Sequence, residues 1–193
     1  MTLFSDRVDV AGVRIDLLRP ASPEALIDEA AFDHDEFLPY WAELWPAALA
    51  LAGALPDVDG LRVVELGCGL GVVSLVAAAH GADVTATDWS VDAVELLRRN
   101  AARNGLTVHA EVRDWREPWP ERFDLALAAD VLYERRNVVP VLERLREVAP
   151  HALVALAGHP CEEEFLRLAA DSGMLVEHAD RLVRLRARRI EAC

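Results

Sequence analysis

The sequence has few cysteines, and they lie far apart. Cys68, Cys161 and Cys193 are the three present, and none belongs to a C-x-x-C pair. An odd, scattered set does not form a disulfide framework and is typical of a reducing compartment. Long apolar runs are also missing, and the first residues show no basic stretch followed by an apolar core. We therefore expect a cytoplasmic protein with no secretory signal and no membrane-spanning helix.

Basic residues are outnumbered by acidic ones. The chain has 20 lysine plus arginine residues against 33 aspartate plus glutamate residues, a net charge of −13. A nucleic-acid-binding surface usually needs a basic face to replace the counterions of the phosphates. One basic cluster alternates with apolar residues, as the exposed face of a strand would; it consists of Arg181, Arg184, Arg186, Arg188 and Arg189. We expect no nucleic-acid partner, and an acidic enzyme suits a lysine-bearing protein surface.

Metal-ligand patterns are absent as well. The histidines are dispersed, without an H-E-x-x-H cluster, at His34, His80, His109, His151, His159 and His178. The sequence thus predicts no metal site. The G-x-x-x-x-G-K-[ST] and G-x-S-x-G elements are missing too, which excludes P-loop and α/β-hydrolase chemistry.

Two regions of the chain differ in their pattern. Residues 1–40 predict a small extension, with two short strands around Ala11–Gly12 and then a helix that begins near Ser22–Pro23. Residues 41–193 predict one domain, in which a helix over 46–55 precedes alternating strands and helices. That alternation indicates a doubly wound α/β fold with a mostly parallel, seven-stranded sheet and an antiparallel edge hairpin. The predicted strands are 61–66, 83–87, 107–112, 123–129, 151–157, 174–179 and 181–190, with helices at 71–80, 91–103, 137–148 and 161–171.

A glycine-rich turn follows the first strand of this domain. The stretch Val63–Gly71 places Gly67, Cys68, Gly69 and Gly71 between a buried strand and a helix. A dinucleotide fingerprint would read G-x-G-x-x-G, but here the spacing is G-x-G-x-G. Glu65 would repel a pyrophosphate and is better suited to the ammonium group of a methionine moiety. We interpret the turn as a cofactor loop, and a purely structural glycine turn is the alternative.

Acidic residues also follow the second and third strands. Asp88, next to Trp89, is placed to accept the two hydroxyls of a ribose, or else to cap the next helix alongside Ser90. Asp114 is placed to accept a hydrogen bond from an adenine amino group, with Trp115 against the ring. A turn aspartate beside a partly buried tryptophan is the alternative. Ligands of this fold class bind beyond the carboxyl ends of the strands, where all of these residues lie.

The fourth strand ends in Ala129, Asp130 and, three residues later, Tyr133. We expect Asp130 and Tyr133 at the acceptor end of the cleft, the alternative being a helix cap and a packed ring. A carboxylate beside an amine raises the pKa of that amine, so we assign Asp130 to positioning rather than to general base catalysis.

Together these residues resemble the seven-strand class of S-adenosylmethionine methyltransferases over roughly residues 40–190. Within that class the chain resembles the group that contains the lysine methyltransferases of the electron-transfer-flavoprotein β-subunit and of valosin-containing protein. The stretch Trp41–Pro46, the pair Asp114–Trp115 and the D-x-x-Y sequence Asp130–Tyr133 carry this resemblance. It implies that Trp45 packs against the cofactor and that Asp130 and Tyr133 bound the acceptor channel. It also implies a cofactor pocket lined by Glu65, Gly67, Gly69, Asp88, Asp114 and Ala129.

The expected function is S-adenosylmethionine-dependent methylation, with a protein lysine as acceptor. A small pyridine or amine is the alternative acceptor, and an inactive cofactor-binding regulatory domain is the alternative outside catalysis. Nucleic-acid methylation is not expected, since no [ND]-P-P-[YFW] element follows the fourth strand. Residues 1–40 are a candidate lid or a candidate surface for recognising a protein.

Overall fold

The structure is a computed structural model that describes residues 2–22, 26 and 39–187. After an N-terminal hairpin, short strands and helices alternate along the chain. The predicted helix near Ser22–Pro23 lies outside the described residues. Short 3-10 turns occupy Tyr40–Ala42 and Arg135–Asn137. The strands are β1 Leu3–Val10, β2 Val13–Pro20, β3 Arg62–Leu66, β4 Asp83–Asp88, β5 His109–Val112, β6 Leu125–Ala129, β7 His151–Ala155, β8 Leu175–Ala179 and β9 Leu182–Arg186. The α-helices are α1 Pro46–Gly53, α2 Val72–Ala79, α3 Val91–Arg103, α4 Val138–Val148 and α5 Glu162–Asp171.

The main sheet has seven strands in the order β5–β4–β3–β6–β7–β9–β8. Strands β3 to β7 pair in parallel, whereas β9 pairs antiparallel with both β7 and β8. This confirms the predicted parallel sheet and its antiparallel edge hairpin. From β3 the chain continues to β4 and β5 on one side of the sheet, whereas β6 and β7 lie on the other side of β3. The direction in which strands are added therefore reverses between β3 and β6. A ligand cleft is expected at the carboxyl ends of these two strands.

Each central strand packs against two apolar layers. Val63 belongs to the cluster that contains residues of α1, α2, α3 and β2, and its neighbour Val64 belongs to the cluster of α4 and α5. Leu127 and Ala128 of β6 divide between the two clusters in the same way. Successive side chains of a strand point to opposite faces, so both faces of β3 and β6 are buried. The almost wholly apolar sequence of the fourth predicted strand, residues 123–129, suits this central position.

The N-terminal hairpin forms a separate antiparallel sheet that packs on α3. Its turn, Ala11–Gly12, has positive φ at both residues (52° and 75°), as a type I′ turn requires. Two asparagine side chains, one within α3 and one at its C-cap, bind the backbone of β2. Asn104 accepts from the N–H of Asp16 at 2.8 Å, and Asn100 accepts from that of Leu18 at 2.7 Å. The hairpin is therefore joined to the main domain by hydrogen bonds as well as by apolar contacts.

Several strand ends differ from the prediction by one residue or more, and hydrogen bonds explain two of these differences. β7 ends at Ala155 and not at residue 157, because the N–H groups of Ala157 and Gly158 both donate to Oε1 of Glu162 at 2.8 Å. β6 begins at Leu125, since the N–H of Phe123 donates to the carbonyl of Val148 at 2.8 Å. An apolar pattern marks the interior of a strand but does not show which partner the backbone takes at its ends.

The basic cluster lies where the pattern indicated, as far as the structure describes it. Arg184 and Arg186 are exposed on β9, whereas Val183 and Leu185 between them are buried. No helix in the described ranges is both long enough and apolar enough to cross a membrane.

Candidate functional site

The glycine loop approaches its neighbours closely at three left-handed positions. Gly71 has φ +82°, and a Cβ there would lie 2.1 Å from the side chain of Leu97, so this glycine allows α2 to pack on α3. Gly67 and Gly69 have φ +66° and +50°. A Cβ on Gly67 would lie 3.0 Å from the ring of Trp115, and one on Gly69 would lie 3.1 Å from the carbonyl oxygen of Trp41. These glycines therefore keep the loop narrow and leave its backbone open toward the cleft.

Glu65 lies beneath this loop and is 2% exposed. Its Oε2 accepts hydrogen bonds from the backbone N–H of Ser74, at 3.0 Å, and from the hydroxyl of the same residue. Burial raises the pKa of Glu65 to about 8. Both hydrogen bonds fall on Oε2, which leaves Oε1 for a donor in the cleft. A cation placed there would favour the ionised carboxylate and lower this pKa again.

Asp88 connects the end of β4 to the glycine loop. Its Oδ2 accepts the N–H of Gly69 and its Oδ1 accepts the N–H of Ser90, both at 2.9 Å. The N-cap of α3 is Ser90, whose Oγ accepts the N–H of Ala93 at 3.3 Å, so Asp88 is not the residue that caps this helix. Burial raises the pKa of Asp88. Each oxygen retains a lone pair, so the carboxylate can still accept hydroxyl donors.

Asp114 forms an ion pair that the sequence analysis did not anticipate. Both of its carboxylate oxygens accept from the Arg116 guanidinium, at distances of 2.5 to 2.9 Å. This hydrogen bonding lowers the pKa of Asp114. A hydrogen bond from an adenine amino group would therefore have to share the carboxylate with Arg116. The neighbouring Trp115 is held through its backbone, since its carbonyl accepts a hydrogen bond from Nε of Arg144 at 3.1 Å.

Asp130 and Tyr133 lie at the other end of the cleft, beyond β6. The backbone of Asp130 is left-handed (φ 57°), and its Oδ1 lies 2.7 Å from Nε2 of His159. Burial raises the pKa of Asp130, and the imidazole opposes that shift. Burial also raises the pKa of Tyr133 to about 12, so its hydroxyl stays protonated at neutral pH.

Aromatic rings surround this end of the cleft. The rings of Tyr40 and Tyr133 have centroids 5.1 Å apart and are tilted by 50°. Trp45 is fixed by its indole N–H, which donates to the carbonyl of Tyr40 at 2.8 Å, and its ring lies 6.4 Å from that of Tyr40. The segment before α1 thus covers the end of β6.

All the residues selected from the sequence line one open cavity. They are Trp45, Glu65, Gly67, Cys68, Gly69, Gly71, Asp88, Trp89, Asp114, Trp115, Ala129, Asp130 and Tyr133. The lining also includes residues that the sequence analysis did not select, namely Tyr40, Trp41, Glu43, Leu44, Ala48, Leu70, Val72, Arg116, Val131, Glu134, Arg136 and Asn137. Tyr40 immediately precedes the tryptophan-rich stretch and could have been found from it. The described residues contain no group of three or more His, Cys, Asp or Glu side chains able to hold a metal ion.

A family model described as lysine methyltransferase matches residues 42–170 of the chain. The mouse EEF1A lysine methyltransferase 3 is 34% identical over 143 residues, which cover 66% of this chain and 61% of that protein. The Xenopus laevis electron transfer flavoprotein beta subunit lysine methyltransferase is 34% identical over 136 residues, covering 66% of this chain and 54% of that protein. The chain thus spans less than two thirds of the length of these relatives.

Solved structures share the fold at low sequence identity. The magnesium protoporphyrin IX methyltransferase of Synechocystis, in a crystal structure with bound SAM (S-adenosylmethionine), has a TM-score of 0.64 and 15% identity. That similarity covers 88% of this chain and 99% of the other. At this identity the likeness supports the seven-stranded architecture alone.

Proposed function

The chain belongs to the lysine methyltransferase family, and from this premise we propose that it methylates a lysine side chain of a partner protein, with S-adenosylmethionine as the methyl donor. The observation that carries the proposal is the single cavity that joins the glycine loop to the D-x-x-Y segment. One end offers groups for the sulfonium cofactor, and the other offers a carboxylate and aromatic rings for an amine. Small-molecule methylation and a regulatory domain without activity are outcomes of the test below.

The residues around the glycine loop suit this cofactor. Oε1 of Glu65 is available for an ammonium group, and the remaining lone pairs of Asp88 suit ribose hydroxyls. Gly67 and Gly69 line the cavity, and because neither has a side chain, a ligand can approach the loop backbone closely. When bound, S-adenosylmethionine supplies an electrophilic methyl group on a sulfonium sulfur and is released as S-adenosylhomocysteine.

The acceptor end suits a lysine side chain. The aromatic rings of Tyr40 and Tyr133 can attract a cation, and Asp130 supplies a negative charge in the same cavity, whereas Trp45 stays assigned to the cofactor. Only a neutral amine is a nucleophile, and at a reference pKa of about 10.4 roughly one lysine in a thousand is neutral near pH 7.4. Asp130 stabilises the ammonium, so its role is to bind and align the side chain. Tyr133 keeps its proton and can donate or accept a hydrogen bond.

Charge supports a protein acceptor rather than a nucleic acid. The chain carries a net charge of −13. An acidic surface attracts a lysine-rich partner and repels phosphates. A cytoplasmic location, supported by the free thiols of Cys68 and Cys161, is part of the proposal. The division of the chain into an extension (1–40) and a methyltransferase domain (41–193) is also part of the proposal.

To test the proposal, the purified protein is incubated with S-adenosylmethionine that carries a radioactive methyl group and with a soluble extract of the protein's own host. Protein, nucleic-acid and small-molecule fractions are then counted separately. We expect label in the protein fraction and its loss with Asp130→Asn, while calorimetry shows nearly unchanged cofactor affinity. Asparagine tolerates the left-handed backbone at this position, so the variant keeps the local fold. Label only in small molecules, or no label despite cofactor binding, would contradict the proposal.

A further inference from the structure

His159 contacts Asp130 from outside the cavity. Its Nε2 lies 2.7 Å from Oδ1 of Asp130, although the two residues are 29 positions apart. The Asp130 side chain is 10% exposed and that of His159 is 32% exposed. Asp130 lines the cavity and His159 does not. The imidazole therefore touches the carboxylate without lining the cavity itself.

The loop that carries His159 is fixed at both of its ends. The N–H groups of Ala157 and Gly158 both donate to Oε1 of Glu162, a buried carboxylate, at 2.8 Å. The guanidinium of Arg181 donates to the carbonyl of Ala157. Because these bonds fix the backbone on either side, His159 does not depend on Asp130 alone for its position.

A second contact joins this loop to the D-x-x-Y segment. The thiol of Cys161 donates to the carbonyl of Leu132 at 2.8 Å. The loop after β7 thus binds the segment after β6 at two points, Asp130 and Leu132. The register between the two segments is consequently defined by more than one bond.

The contact determines which oxygen of Asp130 is available. His159 occupies Oδ1, which leaves Oδ2 as the oxygen for a donor in the cavity. An ionised carboxylate only accepts hydrogen bonds, so the imidazole donates through Nε2–H. Without that donor the carboxylate can rotate about its Cβ–Cγ bond and would present either oxygen.

We propose that His159 is a positioning residue for methyl transfer, because it holds Oδ1 of Asp130 and so directs Oδ2 toward the acceptor nitrogen. This inference rests on the proposed function, since it assumes that Asp130 binds the amine to be methylated. It assigns a role to a side chain that does not touch the substrate, and it requires a donor at the position of Nε2.

The first test measures the contact without measuring activity. Nitrogen-15 labelling of the histidine rings allows long-range proton–nitrogen spectra, in which His159 is assigned from the signal that His159→Gln removes. We expect the ring resonances of His159 to move in Asp130→Asn and to stay in place in Asp124→Asn, the matched control. Resonances that are unchanged in Asp130→Asn would overturn the inference, whether or not methyl transfer is detected.

The second test measures the role in transfer, with host extract as the acceptor and radioactive S-adenosylmethionine as the donor. His159→Leu is expected to lower the maximal rate about 10- to 100-fold, the range for losing a hydrogen bond to a charged group, with an unchanged KM for S-adenosylmethionine. His159→Gln keeps a donor near the position of Nε2, and we expect it to restore most of the rate. His178→Leu, on the exposed edge strand β8, is the control and should retain full activity.

The outcomes separate the two claims. If the wild-type protein labels no protein, the proposed function fails, and the spectra still report on the His159–Asp130 contact. If the wild type is active and His159→Leu is equally active, the positioning role is wrong. It is also wrong if His159→Gln is as slow as His159→Leu while both melt at the wild-type temperature.

Discussion

Burial of Glu65 makes stability depend on pH in a direction that can be calculated. The folded protein holds this carboxyl at a pKa of about 8, against 4.5 for an ordinary glutamate. Between these values the folded protein keeps a proton that the unfolded chain has lost. Stability from this group is therefore fully present below the unfolded pKa and is lost as the pH rises through about 8. For a surface carboxylate whose pKa is lowered by folding, the change of stability with pH has the opposite sign.

The magnitude follows from the two pKa values. Raising the pH from about 6 to about 8 is expected to lower the free energy of unfolding by about 2 kcal/mol through Glu65 alone. Burial raises the pKa values of Asp88 and Asp130 too, so each contributes with the same sign over the pH range between its unfolded and its folded pKa. Glutamine is neutral at both pH values, so the difference between wild type and Glu65→Gln isolates Glu65.

Urea unfolding of the cofactor-free protein at both pH values measures this effect. We expect the wild type to lose more stability than Glu65→Gln between the two pH values, while Glu177→Gln, on an exposed strand, follows the wild type. Adding S-adenosylmethionine should reduce the wild-type loss, because an ammonium group near Oε1 favours the ionised form. Equal pH dependence in wild type and Glu65→Gln would refute the reasoning.

Two further predictions concern the glycine loop and the end of β4. Gly71→Ala is expected to lower stability by about 2 to 5 kcal/mol, from a left-handed alanine and overlap with Leu97. Gly105 is also left-handed, but a Cβ there would have no neighbour within 4 Å, so Gly105→Ala should lower stability by only about 1 to 2 kcal/mol. Equal losses of stability in the two variants, measured by thermal unfolding, would contradict the overlap with Leu97. Asp88→Asn cannot accept both backbone N–H groups, and we expect calorimetry to show roughly 10- to 100-fold weaker S-adenosylmethionine binding. An unchanged affinity would remove Asp88 from the cofactor site.

Local patterns were enough to predict the order of strands and helices in the main domain and about half of the residues that line the cavity. A buried strand followed by glycines, and an acid at or just after the end of each of the next three strands, locate a cleft because parallel strands bring their carboxyl ends together. For this reason Glu65, Asp88, Asp114 and Asp130, which lie far apart in the sequence, all line one cavity. Their individual roles remain predictions.

Partners chosen in three dimensions could not be predicted in this way. His159 is 29 residues from Asp130, and no spacing rule connects a loop after β7 with the end of β6. The shortened β7 depends on Glu162, which reads from the sequence as an ordinary first-turn residue of a helix. The ion pair of Asp114 with Arg116 is local, yet a basic residue two positions away has many other possible partners. Such side-chain pairs can be identified only from the three-dimensional structure.

The most direct test of the central claim is to identify the methylated amino acid. This chain contains no lysine, so methyl-lysine recovered after a reaction cannot come from the enzyme itself. The labelled protein from host extract would be hydrolysed in acid and its amino acids separated, with Asp130→Asn in parallel. The account predicts label in methyl-lysine with the wild type and a large loss with the variant. Label in another amino acid, or equal label with both proteins, would contradict it.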